Sequence, residues 1–153
     1  MNITKIISKV FDSRLKAIDL YDTQAGDIQH RVLTRLVKQA ENTEWGKKYD
    51  YKSIRNYEDF KNRLPIQTYE EVKPYVERLR AGGQNLLWPS EIRWFAKSSG
   101  TTNDKSKFLP VSKEALQDIH YRGGKDAAAI YFRMNPDSRF FSGKGLILGG
   151  SHS

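Results

Sequence analysis

The stretch Phe95–Ser112, FAKSSGTTNDKSKFLPVS, decides how the rest of the chain is interpreted. It begins and ends with apolar residues typical of strands, and its middle is rich in serine, threonine, glycine and lysine. Hydroxyl groups and unhindered backbone N–H groups donate hydrogen bonds to phosphate oxygens, and glycine lets the main chain approach a ligand closely. By composition the stretch is therefore either an ordinary surface turn or a phosphate-binding loop. It is not a Walker loop, because Gly-x-x-x-x-Gly-Lys-Ser/Thr is absent.

The segments on either side of this loop predict an α/β fold. EIRWFAK, at residues 91–97, precedes the serine- and glycine-rich loop, and KFLPV, at residues 107–111, follows it. Both have the composition of strands, although Pro110 restricts the second to an edge or a strand end. Ser112 can cap a long helix from about residue 113 to residue 132. LILGG, at residues 146–150, has the wholly apolar composition of a short buried strand. Strand, loop, strand, helix and strand in this order indicate an α/β arrangement.

Upstream of residue 86 the sequence predicts mainly helices. Apolar residues recur at helical spacing in two runs, of which the second starts near Thr23 and ends around Gly46. The first run has lysine and arginine on its opposite face, which favours packing against its own protein over lying on a membrane surface. The two apolar stripes are Ile3, Ile6, Ile7, Val10, Phe11, Leu15 and Ile18, and then Ile28, Val32, Leu33, Leu36, Val37 and Ala40.

Residues 56–83, NYEDFKNRLPIQTYEEVKPYVERLRAGG, predict two short helices separated by Pro65. Thr68 and Glu71 have the spacing of a capping box at the start of the second helix, and two glycines end it. The predicted organisation is a mainly helical N-terminal region over residues 1–85, followed over residues 86–153 by the beginning of an α/β region that carries the loop.

Composition narrows the class of protein. The chain has 153 residues, enough for one ordinary domain, and no cysteine, which excludes disulfides and thiolate metal sites. No run approaches the ~18 apolar residues of a membrane span, and the N-terminus lacks the pattern of a signal peptide, so we expect a cytoplasmic protein. The net charge of +8 indicates either a basic surface or attraction to a polyanion. Basic residues form no run typical of a nucleic-acid-binding tail.

Three other groups of residues are candidate sites. His30, His120 and His152 are far apart and lack the spacing of metal ligands, so no metal site is predicted. FSGKG, at residues 141–145, is a phosphate loop or a plain turn, and the turn is favoured. The tryptophans are either the lining of an aromatic acyl pocket or core residues, and the core is favoured; they are Trp45, Trp88 and Trp94.

The order of residues in the opening stretch is more specific than its composition. It resembles the first ATP-binding motif of the adenylate-forming superfamily. Its longer spacing, with FLPV after the lysine, resembles the auxin-responsive acyl-acid amido synthetase family. NTEWGKKYDY, LPIQTYEEVKPYVERLRAGG and FAKSSGTT occur in the order typical of that family, and the resemblance covers roughly residues 29–150. The motif positions matched are Ser98, Ser99, Gly100, Thr101, Thr102 and Lys107.

The resemblance implies the start of an adenylate-forming α/β large domain and a reaction in two steps. ATP and a carboxylic acid give an acyl adenylate and pyrophosphate, and the amine of an amino acid then attacks the acyl carbon to form an amide. Mg²⁺ bridges the phosphates. The resemblance also implies that the serines and threonines at 98, 99, 101 and 102 supply donors, that Gly100 allows close approach, and that Lys107 supplies positive charge. It identifies no catalytic residue in this chain.

Asn103 and Asp104 depart from the family pattern, which has small residues there. The Asp104 carboxylate is expected to weaken ATP binding unless a cation or Lys105 offsets it. A buried strand normally leads into a loop and another layer, so the strand predicted at residues 146–150 leads us to expect that the chain is the N-terminal piece of a longer protein. Because the family's other ATP motifs lie beyond position 153, we also expect the chain to be inactive alone.

Two alternatives stay open. One is a non-catalytic basic domain that binds nucleic acid or an anionic membrane surface, although no nucleic-acid partner is expected. The other is an enzyme similar to acyl-CoA ligases, with a thiol acceptor. No pattern in the sequence indicates the acyl substrate, the amine or the oligomeric state.

Overall fold

The computed structural model describes residues 6, 9–98 and 106–146, which are mainly helical with one small sheet. The α-helices of this part are α1 (Asp12–Ala40), α2 (Glu44–Lys48), α3 (Tyr57–Arg63), α4 (Tyr69–Arg80) and α5 (Arg122–Met134). The strands β1 (Trp94–Lys97) and β2 (Phe108–Val111) pair antiparallel. A π-helical segment, Ala115–Tyr121, precedes α5, and 3₁₀ turns lie at Tyr51–Ser53 and Phe140–Ser142.

Contacts along the chain divide it into two compact units. One runs from Gln24 to His120, and the other combines the described residues up to Thr23 with those from Tyr121 onward. Helix α1 crosses the boundary at a kink, where Gln24 has the non-helical angles φ −126° and ψ 21°. This kink confirms the predicted start of a second helical run near Thr23. The predicted division of the sequence after residue 85 stays a prediction.

The turn after α1 corrects the interpretation of Gly46. Helix α1 ends at Ala40, and Gly46 lies buried inside α2. Thr43 is fully buried; its Oγ donates to the Ala40 carbonyl at 2.7 Å and accepts from the Gly46 N–H at 2.9 Å. A Cβ on Gly46 would lie 2.1 Å from the Ala40 oxygen. Glycine is therefore required by close backbone approach, and the expectation that it stops α1 is wrong.

The same turn fastens the segment that leads to β1. The N–H groups of Glu44 and Trp45 donate to the carbonyls of Asn85 and Leu86, at 3.0 and 2.9 Å. The Glu44 carboxylate pairs with the Arg78 guanidinium through two 2.7 Å hydrogen bonds, which hold the pKa of Glu44 below its ordinary value. Helix α4 and residues 85–86 are thus both bound to the start of α2.

Helix α4 begins and ends as the sequence predicts. The Glu71 carboxylate accepts from Thr68 N at 2.6 Å and from Thr68 Oγ at 2.8 Å, which confirms the capping box. Gly82 has a φ of +96°, its N–H donates to the Leu79 carbonyl at 3.0 Å, and the next N–H donates to the Arg78 carbonyl at 2.8 Å. This pair of hydrogen bonds is a Schellman motif, which needs glycine because other residues rarely adopt a positive φ. Residues 64–68, with Pro65, separate α3 from α4.

The core of the Gln24–His120 unit lies between the end of α4 and the approach to the hairpin. Leu79, Leu86 and Ile92 are each at most 5% exposed and form one cluster, against which Phe95 of β1 packs. Val76 of α4 is 1% exposed. The buried face of α4 therefore lies on the side that the hairpin occupies.

The helix after β2 starts where the sequence predicts, but its buried face is not the one expected from regular α-helical spacing. Ser112 Oγ accepts from the Ala115 N–H at 3.0 Å, which confirms the cap. The segment Ala115–Tyr121 is π-helical, so each of its turns holds more residues than an α-turn and the apolar stripe rotates. Ile119 is 72% exposed, and the buried residues of α5 are Ala129 and Phe132. Ile119 and Ile130, two apolar residues of the helix predicted from about residue 113 to residue 132, are therefore exposed rather than buried.

The second unit is held by ion pairs and aromatic rings. Arg14 donates to both carboxylate oxygens of Asp126, at 2.6 and 2.9 Å, which raises the pKa of Arg14 and lowers that of Asp126. Arg133 pairs with Asp19 at 2.6 Å. Phe132, 7% exposed, is the centre of a group of rings whose other members are Phe11, Tyr131, Phe140 and Phe141.

Two sequence expectations concern the C-terminal end of the described residues. The 3₁₀ turn at Phe140–Ser142 agrees with a plain turn for residues 141–145. The predicted strand at residues 146–150 lies outside the described residues except for Leu146. Among the helices that the structure describes, none combines the length and apolar character needed to cross a bilayer.

Replacement of Gly46 by alanine tests the close approach in the turn. The new Cβ would overlap the Ala40 carbonyl, which is backbone and cannot swing aside, so we expect G46A to lose about 2–3 kcal/mol of unfolding free energy. Gly26→Ala is the matched control, since open space surrounds a Cβ there; it should be neutral or stabilising. Urea unfolding of both variants measures the difference, and a G46A variant as stable as G26A would contradict this account.

The capping box predicts a defined acid sensitivity. Hydrogen bonds from the Thr68 N–H and hydroxyl lower the pKa of Glu71 from its ordinary value of 4.5. A lowered folded pKa means that this stabilisation is complete above the unfolded pKa and is lost as pH falls through the lower folded value. We expect wild-type stability to fall more than that of Glu71→Gln when pH drops from about 5 to about 3.

Thermal unfolding across that pH range measures the effect. Glu70→Gln is the matched control, because its carboxylate pairs with Lys73 at 3.1 Å on the exposed side of the same turn. This variant should keep the wild-type acid sensitivity, since an exposed pair of this kind contributes little. Parallel acid profiles for wild type and E71Q would refute the cap as their source.

Candidate functional site

The hairpin brings the two ends of the serine- and glycine-rich loop together. The strands pair in the register Trp94↔Val111 to Lys97↔Phe108. One position beyond the last pair, the Ser98 N–H donates to the Lys107 carbonyl at 2.9 Å, and the Lys107 N–H donates to Ser98 Oγ at 2.9 Å. Ser98 and Lys107, predicted from sequence as two phosphate-binding residues, thus form the base of one closed loop.

The Ser98 hydroxyl is oriented by its contact with Lys107. A serine hydroxyl has one proton to donate and two lone pairs to accept. Because Oγ accepts the Lys107 N–H, its proton remains available to a ligand oxygen. The contact therefore leaves the hydroxyl able to donate at the base of the loop, and the role of Ser98 on a phosphate stays a prediction.

Tyr69, the first residue of α4, binds the backbone of Phe108, the residue immediately after Lys107, through two hydrogen bonds that form the Tyr69 clasp. Its hydroxyl accepts from the Phe108 N–H at 3.0 Å and donates to the Phe108 carbonyl at 3.3 Å. Residue pairs in an antiparallel ladder alternate between bonded and non-bonded positions. The Ser98 N–H bonds the Lys107 carbonyl, so the backbone groups of Phe108, one position further on, point away from β1. The Tyr69 hydroxyl satisfies both of them.

Basic side chains surround this clasp. The Lys107 Nζ lies 5.6 Å from the centre of the Tyr69 ring, and the guanidinium carbon of Arg80 lies 3.9 Å from the centre of the Phe108 ring. Lys97 is the register partner of Phe108 on β1. Arg80 also pairs with Glu77 at 3.1 Å, which offsets part of its charge. The base of the loop is therefore a positively charged region suited to an anion.

Tyr69 and Arg80 were not predicted as site residues. They lie 39 and 28 positions before Phe108, and no local motif links them to the loop. Their spacing does carry a signal, because Tyr69, Val76 and Arg80 are separated by seven and four residues and share one helical face. A search for the face of α4 that meets the hairpin would have found them.

The remaining motif positions stay predictions. Ser99, Gly100, Thr101 and Thr102 lie outside the described residues, as do Asn103, Asp104 and Lys105.

The tryptophans contact different partners and do not form one pocket in the described structure. Trp45 is 8% exposed, and its ring packs with Tyr75 at 5.1 Å between centroids. Trp88 donates to Glu114 at 3.3 Å, whereas Trp94 is 56% exposed. Trp45 is thus a core residue, as favoured from sequence, and Trp94 is not.

Two of the surface hollows formed by described residues lie in the Gln24–His120 unit, and neither of these two is lined by Ser98 or Lys107. One, of about 290 Å³, is lined by Gly26, Gln29, His30, Leu33, Tyr57 and Phe60. The other, of about 560 Å³, lies between the end of α1 and the 3₁₀ turn that begins at Tyr51. No cluster of three or more acidic, histidine or cysteine side chains able to hold a metal occurs among residues 6, 9–98 and 106–146.

Comparison with known families and proteins gives consistent matches. The GH3 family N-terminal domain matches residues 14–152. Indole-3-acetic acid-amido synthetase GH3.6 of Arabidopsis thaliana is 30% identical over 105 residues, which cover 68% of this chain and 17% of that protein. Jasmonoyl–L-amino acid synthetase JAR6 of Nicotiana attenuata is 31% identical over 115 residues, 72% of this chain and 20% of that protein. The chain thus spans about a fifth of the length of these relatives.

Solved structures agree on the fold. The structure of GH3.15 acyl acid amido synthetase matches with a TM-score of 0.70 and 21% identity, over 88% of this chain and 23% of that one. A second structure, of AtGH3.15 in complex with 2,4-DB, matches with a TM-score of 0.69 and 23% identity, over 78% of this chain and 21% of that one. The helices and hairpin described above therefore have the fold of part of an acyl acid amido synthetase.

Replacing Ser98 with alanine tests the closure of the loop. The change removes the acceptor of the Lys107 N–H while leaving the Tyr69 clasp on Phe108 in place. We expect the Lys107 amide hydrogen to exchange about tenfold faster, the effect of losing one net hydrogen bond, with the Phe108 amide unchanged. Hydrogen exchange followed by NMR resolves the two amides. Equal protection of Lys107 in wild type and S98A would contradict the proposed closure.

Proposed function

Because the chain belongs to the GH3 family, we propose that it carries the first phosphate-binding loop of an ATP-dependent acyl-acid amido synthetase. The observation that carries this proposal is the loop closed by Ser98 and Lys107, whose residue order matches the family motif and whose base is positively charged. The enzyme would act on a small carboxylic acid and an amino acid. The relatives named above are an indole-3-acetic acid-amido synthetase and a jasmonoyl–L-amino acid synthetase, which supports this class of substrate.

The proposed reaction has two steps. A carboxylate oxygen attacks the α-phosphorus of ATP, and the bond to the bridging oxygen breaks, which gives an acyl adenylate and pyrophosphate. The amine of an amino acid then attacks the acyl carbon, AMP leaves, and the amine loses a proton as the amide forms. Charge builds on the departing pyrophosphate in the first step, so preorganised donors and cations near it lower the barrier.

The described residues fit a role on the phosphates. Ser98 can donate its hydroxyl proton to a phosphate oxygen, because its Oγ already accepts the Lys107 N–H. Lys107 supplies positive charge at the base of the loop, where anionic oxygens would approach. Mg²⁺ would bind through the phosphate oxygens and neutralise part of their charge. The set of donors would be completed by Ser99, Thr101 and Thr102, and Gly100 would allow close approach of the main chain.

The acceptor distinguishes this proposal from its nearest alternative. An enzyme similar to acyl-CoA ligases would pass the acyl group to a thiol, whereas the relatives are named as an indole-3-acetic acid-amido synthetase and a jasmonoyl–L-amino acid synthetase. Incubating the intact gene product with ATP, a panel of carboxylic acids and either amino acids or coenzyme A separates the two. We expect amide products by mass spectrometry and no thioester.

Two substitutions in the intact gene product test the site. Carboxylate-dependent exchange of pyrophosphate with ATP should fall about 100-fold in Lys107→Ala and about tenfold in Thr101→Ala, because each removes a group that stabilises the leaving pyrophosphate. Lys61→Ala is the matched control, since Lys61 is an exposed lysine on α3 that pairs with Glu58. Its exchange rate should equal that of wild type.

The outcomes separate the possible results. Undiminished exchange in both K107A and T101A would overturn the assignment of the loop. Absence of exchange in the wild type with every acid tested, together with salt-dependent retention on DNA or anionic vesicles, would favour a basic binding domain instead.

A further inference from the structure

We propose that Tyr69 is a positioning residue for Lys107, and that it sets how tightly the loop holds the phosphates of ATP. The proposal rests on the function proposed above and extends it to a residue outside the motif. It assigns Tyr69 no contact with the reacting atoms. Its effect is to fix the strand and the ammonium group that meet the ligand.

The Tyr69 hydroxyl forms two hydrogen bonds with the backbone of Phe108, at 3.0 and 3.3 Å. Phe108 is the residue directly after Lys107, so the clasp fixes the main chain from which the lysine side chain extends. A two-stranded hairpin alone is only marginally stable in water. The register at the base of the loop therefore depends on this anchor from α4.

Tyr69 is itself held rigidly at the start of α4. Tyr69 directly follows Thr68, whose backbone and hydroxyl are held by Glu71 in the capping box. At the other end of α4, the Arg80 guanidinium stacks 3.9 Å from the Phe108 ring centre. Phe108 is thus gripped by the first and last residues of one helix, through its backbone at one end and its side chain at the other.

The Tyr69 ring also contacts the Lys107 ammonium, whose Nζ lies 5.6 Å from the centre of the ring. A cation near an aromatic face is attracted to it, and lysine has a long stem with many rotamers. Holding the ammonium near one position reduces the conformational entropy lost when a phosphate binds. Tyr69 therefore acts on Lys107 twice, through the backbone of its neighbour and through its own ring.

Tyr69→Phe and Tyr69→Leu separate these two contributions in the intact gene product. The phenylalanine variant keeps the ring and loses the clasp, so kcat/KM for ATP in carboxylate-dependent exchange should fall about tenfold, the effect of one net hydrogen bond. The leucine variant also loses the ring and should fall further, by about 50-fold in total. The KM for the carboxylic acid should stay within about twofold of wild type in Y69F, because the clasp acts at the phosphates.

Tyr57→Phe is a matched control. Tyr57 is the first residue of α3, as Tyr69 is of α4, and it is 62% exposed. Removing its hydroxyl should leave both kinetic constants unchanged. Thermal unfolding of Y57F and Y69F shows whether any loss of stability in Y69F extends beyond the hairpin.

A mutant cycle with Lys107→Ala distinguishes positioning from a general structural role. If Tyr69 acts through Lys107, Y69F should lower kcat/KM for ATP by less than about twofold in the K107A background. An equal loss in both backgrounds, or an equal change in the constants for ATP and for the acid, would overturn the positioning role. A reduction in K107A without any in Y69F would refute this inference alone, whereas undiminished exchange in both K107A and T101A would refute the loop assignment beneath it.

Discussion

The short turn from Thr43 to Gly46 is the constraint on which the described part of the Gln24–His120 unit depends. Thr43 is fully buried and links the end of α1 to the start of α2, and Gly46 allows the two backbones to meet. From the same turn, Glu44 holds Arg78 of α4 and the backbone of residue 85, and Trp45 holds that of residue 86. Because residues 85–92 lead directly into β1, the placement of the hairpin follows from a turn about 50 residues upstream.

The loop is built from parts that are weak alone and strong together. Two strands of four residues make a small ladder, and the two hydrogen bonds between Ser98 and Lys107 close it at one end. Helix α4 supplies the rigidity, since it is capped at Thr68, terminated at Gly82 and packed through Val76 and Leu79. A binding site requires donors held within a fraction of an ångström. Helix α4, which lies outside the loop, supplies support of this kind to the loop's base.

Local signals made much of this arrangement predictable from sequence. Pro65, the Thr68–Glu71 capping box, Gly82 and the Ser112 cap each act within a few residues of themselves, so their effects could be inferred without the fold. Gly46 could not, because the carbonyl that excludes a Cβ belongs to Ala40 across a turn. The rotated face after Ser112 depends on a π-helical segment that periodicity at 3.6 residues does not anticipate.

The candidate site divides in the same way. Ser98 and Lys107 were identified by the order of residues in their own loop, and the structure brings them into contact. Tyr69 and Arg80 required knowledge of which face of α4 meets β2, which is a property of tertiary packing. Pro110, restricted from sequence to an edge or strand end, lies two positions beyond Phe108 and shares its outward orientation on the described strand. On the outer edge of β2, proline therefore has no N–H to offer, and the N–H of Phe108 is already bonded to Tyr69. Within the described hairpin, these two outward-facing positions therefore present no free backbone N–H, which disfavours the pairing of a further strand at Phe108 and Pro110.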